Sequence, residues 1–144
     1  LALIDAHLRP QPQLALGKAL LDSGATSAMD LSDGLFGDLP KLLKASGVRA
    51  KLTSDAIPVS DDVKALFPDD WLHFATRGGE DYQLLFTAPS SVWHTIEAAG
   101  KLAGAPVSRI GEILPANDEL PLMLLESDGV ERPVRAGAFD HFGN

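Results

Sequence analysis

At Gly47 the apolar spacing of the sequence changes period, and that change narrows the possible folds more than any other stretch. Before it, Leu35, Leu39, Leu42 and Leu43 recur at three- and four-residue intervals, the repeat of one helix face. After it, Val48, Ala50 and Leu52 alternate with Arg49, Lys51 and Thr53, the repeat of a half-buried strand. Gly47 closes the helix after Ser46, so a helix and a half-buried strand meet at one glycine.

The same interleaving continues in both directions. A stiff strap, Arg9-Pro10-Gln11-Pro12, leads to a short helix over 14–21, closed by Gly24. Residues 26–31 read as a strand left through the turn Ser32-Asp33-Gly34. The following helix has Asp38, Lys41 and Lys44 on its polar face and Pro40 inside it. It starts directly after Gly34, or at Asp38 acting as cap. Ser60-Asp61-Asp62 can cap a helix reaching about residue 67, and a further helix covers 71–76. Residues 82–87 form a continuous apolar run, expected of a strand covered on both sides. A helix from Pro89-Ser90-Ser91 to about residue 103, strands over 107–114 and 120–126, the turn Ser127-Asp128-Gly129 and a last short strand complete the pattern. Hairpin-like strands gather at the end, so the expected class is α+β, a mixed β-sheet flanked by helices.

The chain has 144 residues, enough for one domain with a real core. It begins Leu1-Ala2-Leu3-Ile4, as if cut from a longer polypeptide. A net charge of −8 speaks against a nucleic-acid groove or an anionic membrane surface, both of which need clustered Lys and Arg. No apolar run has the length of a membrane span and no signal pattern opens the chain. The lack of cysteine removes disulfides and thiolate metal sites and fits a cytoplasmic location.

Two strings combine acids with glycine at element boundaries. In Asp30-Leu31-Ser32-Asp33-Gly34, strand alternation puts Asp30 and Ser32 on one face, with Asp33 at the turn. Hard oxygen donors gathered there suit Mg²⁺, and equally suit helix and turn capping. In Arg77-Gly78-Gly79-Glu80-Asp81-Tyr82, paired glycines allow close backbone approach just before the apolar run. Its acids either face a ligand or are exposed in a tight turn with Arg77 as partner. The four histidines have no metal-ligand spacing, and neither a Gly-x-Ser-x-Gly elbow nor a Gly-x-x-x-x-Gly-Lys loop is present.

These strings, with Gly79-Glu80-Asp81-Tyr82-Gln83-Leu84-Leu85-Phe86-Thr87, Ile110-Gly111-Glu112-Ile113 and Phe139-Asp140-His141-Phe142 in order, resemble the C-terminal half of the thiamine-monophosphate kinase family. That family lies within the superfamily of aminoimidazole ribonucleotide synthetase, selenophosphate synthetase and a hydrogenase maturation factor. The resemblance spans essentially the whole chain. It implies the C-terminal domain of the aminoimidazole ribonucleotide synthetase-like fold, with residues 1–144 as one such domain and the N-terminal ATP- and magnesium-binding domain absent. It implies transfer of the ATP γ-phosphoryl group to thiamine monophosphate, giving thiamine diphosphate, with Mg²⁺ and in a homodimer. Carried over by position, Asp30 and Asp33 match metal ligands, Ser32 an ATP contact, and Glu80 and Phe139 substrate contacts; no general base is implied. Two positions depart from the family pattern: Gln13 stands where relatives carry Arg after Pro-x-Pro, and Pro40 interrupts a helix. A different ATP-dependent synthetase or maturation factor of the superfamily is the alternative, as is a non-catalytic dimerisation or docking domain. A scaffold alone has no need of the acidic cluster.

Overall fold

A computed structural model describes residues 2–135. The chain divides into two compact units. The first draws on residues up to Leu31 and on Asp81–Ser108; the second on Ser32–Glu80 and on residues from Arg109 onward.

The first unit holds helix α1 (Ala2–Leu8), α2 (Leu14–Asp22), strand β1 (Ser27–Asp30), strand β3 (Leu84–Thr87) and helix α6 (Trp93–Leu102), which is entered through a 3₁₀ turn at Ser90–Val92. Strands β1 and β3 pair antiparallel, with Asp30 opposite Leu84 and Ser27 opposite Thr87. Leu16 and Leu20 of α2 and Ile96 of α6 form the buried centre, and Leu84, Phe86, Val92, Trp93 and Val107 pack around it. At the open end of the ladder, Thr26 and Thr87 hydroxyls bond at 2.8 Å and Ser27 and Thr87 at 2.7 Å. Helix α1 is not legible in the sequence, because Ile4 and Leu8 are largely exposed and no buried stripe marks it.

The second unit is built on a four-stranded mixed sheet in the order β4-β2-β5-β6, from β2 (Val48–Thr53), β4 (Gly111–Pro115), β5 (Leu122–Leu125) and β6 (Glu131–Pro133). Strand β2 runs antiparallel to β4 and parallel to β5, and β5–β6 is the terminal hairpin. Helix α3 (Leu35–Ser46) packs on β2 and on α5 (Trp71–Arg77); α4 (Asp61–Leu66) lies between β2 and α5 in sequence. The α+β class with a mixed sheet and flanking helices is therefore the observed one.

The helix and the strand that meet at Gly47 pack together. Leu35, Leu39 and Leu43 of α3 and Ala50 and Leu52 of β2 are all buried, while Lys51, on the other sheet face, pairs with Glu112 and Glu131 at 3.7 and 3.2 Å. The parallel register sets Ala50 beside Leu122 and Leu52 beside Leu124, so one sheet face carries a continuous buried row. Gly47 closes α3 in the left-handed conformation (φ 63°). The open question about Pro40 resolves: α3 starts at Leu35 with Gly34 as N-cap and runs through the proline. Ser60 caps α4 as read, accepting the Val63 N–H at 3.3 Å.

Strands β1, β3, β4 and β5 are each shorter than their sequence pattern. Pairing of β3 starts at Leu84, because Tyr82 sits at φ 51°, outside extended geometry. Pairing of β4 starts at Gly111, while Val107 packs into the core of the first unit.

Because Leu43 has no exposed surface and lies where α3 meets the sheet, Leu43→Ala should cost about 2–5 kcal/mol. Lys18→Ala breaks only an exposed i,i+4 pair with Asp22 and should leave the melting temperature nearly unchanged. Equal thermal shifts for the two variants would contradict this account of the core.

Candidate functional site

The two acid-and-glycine strings meet within the second unit through their backbones. Gly34 adopts φ 82° and ψ 164°, a combination open in practice only to glycine. A Cβ at Gly34 would lie 2.7 Å from the Gly78 carbonyl oxygen and 3.1 Å from the Arg77 carbonyl carbon. A Cβ at Gly79 would lie 2.8 Å from the Ser32 carbonyl oxygen. These distances are too short for any side chain, so the glycines are what let residues 32–34 run against 76–79. The Glu80 N–H donates to the Ser32 carbonyl at 2.9 Å and fixes the contact.

The turn is held from its other side by Asp38. One oxygen of its carboxylate, Oδ2, accepts the N–H groups of both Ser32 and Asp33 at 2.8 Å. The other, Oδ1, accepts Lys41 Nζ at 2.7 Å, and Lys41 also donates to Asp33 Oδ2 at 2.5 Å. Asp38 is only 1% exposed, so the polar face assigned to it from helical spacing is a correction. Nor is it the helix cap. It lies inside α3, with its own N–H bonded to the Gly34 carbonyl at 2.9 Å, and its side chain reaches back past the helix start. Burial pushes its carboxyl pKa up, but the hydrogen bonds from Lys41 and the Asp33 and Ser32 amides together outweigh that and hold it below the usual carboxylate value. Bonds to Asp33 and Asp38 raise the Lys41 pKa, so the lysine carries its charge here.

Of the residues read from sequence, the fold thus brings Ser32, Asp33 and Glu80 together. Ser32 and Glu80 are exposed and Asp33 is half-buried. Glu80 takes φ 68°, unusual for a residue with a side chain, at a cost of about 1 kcal/mol or more. Arg77 lies with its guanidinium 5.5 Å from the Phe36 ring centre. Asp30 belongs to the first unit, exposed at the end of β1 opposite Leu84. Since β1 stops at Asp30, the two-residue alternation that gave Asp30 and Ser32 a common face does not extend to Ser32. Phe139 lies outside the described residues. His94 is exposed on α6, as its helical position suggests.

Among the described residues no group of three His, Cys, Asp or Glu side chains is arranged to hold a metal ion. The donors that are present, Asp33 and the neighbouring hydroxyl of Ser32, are hard oxygens of the kind Mg²⁺ takes. Mg²⁺ is commonly bound through one or two protein carboxylates plus phosphate oxygens and water, so the set fits a share of a site rather than a closed cage. No described helix is long and apolar enough to cross a membrane.

Comparison with known proteins shows the family. Residues 3–120 match the family model described as AIR synthase related protein, C-terminal domain. A thiamine-monophosphate kinase of Salmonella typhimurium is 38% identical over 141 residues, covering 97% of this chain and 42% of the relative. A crystal structure of thiamine-monophosphate kinase from Stenotrophomonas maltophilia superposes with a TM-score of 0.79 at 31% identity, over 93% of this chain and 40% of that one. A structure of AaThiL complexed with AMPPCP and TMP superposes with a TM-score of 0.77 at 30% identity, over 98% of this chain and 41% of that one. The chain therefore spans about two-fifths of the length of the kinases it matches. With the glycine-mediated contact of residues 32–34 on 76–79 and the match across 3–120, the chain belongs to the AIR synthase related protein family, as its C-terminal domain.

Proposed function

We propose that this chain is the C-terminal domain, over residues 1–144, of an ATP-dependent kinase that converts thiamine monophosphate to thiamine diphosphate. In this reading an N-terminal domain, supplied by the remaining length that the relatives have, completes the site in a homodimer working in the cytoplasm. The observation that carries the proposal is the Glu80 N–H to Ser32 carbonyl bond, which sets the two motif strings side by side. It is supported by the likeness to AaThiL complexed with AMPPCP, an ATP analogue, and TMP, read here as thiamine monophosphate.

The chemistry asked of the chain's residues is positioning and charge. Phosphoryl transfer needs the nucleophilic phosphate oxygen in line with the leaving ADP, and little covalent help from protein. Ser32 offers its hydroxyl to the nucleotide phosphates. Asp33, with Asp30, offers carboxylate oxygen to Mg²⁺, whose charge when bound offsets that of the phosphates. Glu80 is the contact for thiamine monophosphate, its carboxylate suited to the protonated edge or amino group of the pyrimidine; Phe139 is a second contact, by ring stacking. Lys41, already on Asp33, keeps that carboxylate oriented.

Three outcomes are expected. The 144-residue chain alone should show no turnover of thiamine monophosphate, and measurable turnover would refute the division of the site between two domains. In a protein carrying the chain with the remaining length of its relatives, Asp33→Asn should lower kcat by roughly 100-fold or more at saturating Mg²⁺. In the same protein Glu80→Ala should raise KM for thiamine monophosphate by about tenfold and leave KM for ATP in place. Unchanged kinetics with both substrates would remove Glu80 from the site.

A further inference from the structure

We infer that Asp38 is the positioning residue of this site, setting the backbone of Ser32 and Asp33 and, through one peptide unit, that of Glu80. The inference starts from covalent geometry. The Ser32 carbonyl and the Asp33 N–H belong to the same trans peptide, so they point in opposite directions. Asp38 Oδ2 holds the Asp33 N–H at 2.8 Å, and the Ser32 carbonyl on the far side of that peptide then accepts the Glu80 N–H at 2.9 Å. A single carboxylate thereby fixes the orientation of the peptide on which both strings rest.

The other contacts of Asp38 tighten the same device. The Ser32 N–H is held by the same oxygen, so two successive peptide units are pinned. Lys41 on Oδ1 supplies the counter-charge that a carboxylate this deeply buried requires, and its second bond, to Asp33, ties the Asp33 side chain to the frame. Glu80 at φ 68° needs such a frame, because an unfavourable backbone conformation persists only where its surroundings over-determine it. The hydrogen-bond relay stands on geometry alone; its consequence for ligand binding rests on the function proposed above.

Amide hydrogen exchange, resolved by NMR on the 144-residue chain, tests the relay. In the wild type, the Ser32 and Asp33 amides should be protected although they lie in a turn outside any strand ladder. Exchange at the rate of free peptide would overturn the inference without any variant. In Asp38→Asn, exchange at Ser32, Asp33 and Glu80 should quicken by about tenfold or more relative to Leu43, the loss expected for bonds to a charged acceptor. Leu122→Ala, a destabilised control from the buried face of β5, should instead quicken the amides of the second unit together. Uniform acceleration in Asp38→Asn, matching that control, would make Asp38 a structural residue only and end the proposal. Titration of a protein carrying the chain with the remaining length of its relatives, with AMPPCP and Mg²⁺ and separately with thiamine monophosphate, tests the function independently. A relay without ligand response counts against the proposed function, and ligand response without the relay counts against this inference. In the longer protein, Asp38→Asn should raise KM for both ATP and thiamine monophosphate by several-fold while Leu122→Ala leaves both in place.

Discussion

A carboxylate taken out of water has to be neutralised or surrounded by donors, and Asp38 is surrounded. Two backbone amides and a lysine converge on it at 2.7–2.8 Å, in a residue with 1% of its surface exposed. The rest of the second unit is arranged around that requirement. Helix α3 has to begin immediately after the turn so that a side chain in its first turn can reach back to residues 32 and 33. Gly34 makes such a start possible, since its φ of 82° and ψ of 164° redirect the chain within one residue. The buried face of α3, from Leu35 through Leu43, then anchors the helix on β2 and holds the carboxylate in place.

Backbone proximity is the second constraint. Residues 32–34 and 76–79 approach so closely that side chains are excluded at Gly34 and Gly79, and the contact is closed by peptide hydrogen bonding rather than by apolar packing. Such an interface is rigid and places neighbouring side chains with little freedom, which suits a reaction catalysed by positioning and charge. It leaves Ser32 and Glu80 exposed. The left-handed Glu80 is the residue on which this close contact imposes a conformational cost.

The membership of the AIR synthase related family and the likeness to thiamine-monophosphate kinases agree with a domain that contributes part of a site. Among the described residues no three of its acids are grouped to hold a metal, and its glycines serve close backbone contact.

Most of the secondary structure was legible in the sequence because short-range periodicity is a direct record of burial. The α3–β2 hand-over at Gly47, the Ser60 cap and the closing β5–β6 hairpin all follow from spacing and turn chemistry. The motif strings named Asp30, Ser32, Asp33 and Glu80; the last three lie in the second unit and Asp30 in the first. Spacing failed where a partner was a backbone group or where burial left no stripe. Helical periodicity put Asp38 on a solvent face, since no side-chain pattern records that the amides five and six residues before it bond its carboxylate. The exposed helix α1 left no apolar stripe, and β1 ended before the alternation reached Ser32. The sequence by itself determined most of the helices and strands, α1 excepted, and which side chains carry hard oxygen donors, because those properties are local. Only the tertiary structure decided that Asp38 governs the turn and that Ser32 and Glu80 share one peptide contact, because both depend on backbone groups whose partners no spacing rule can identify.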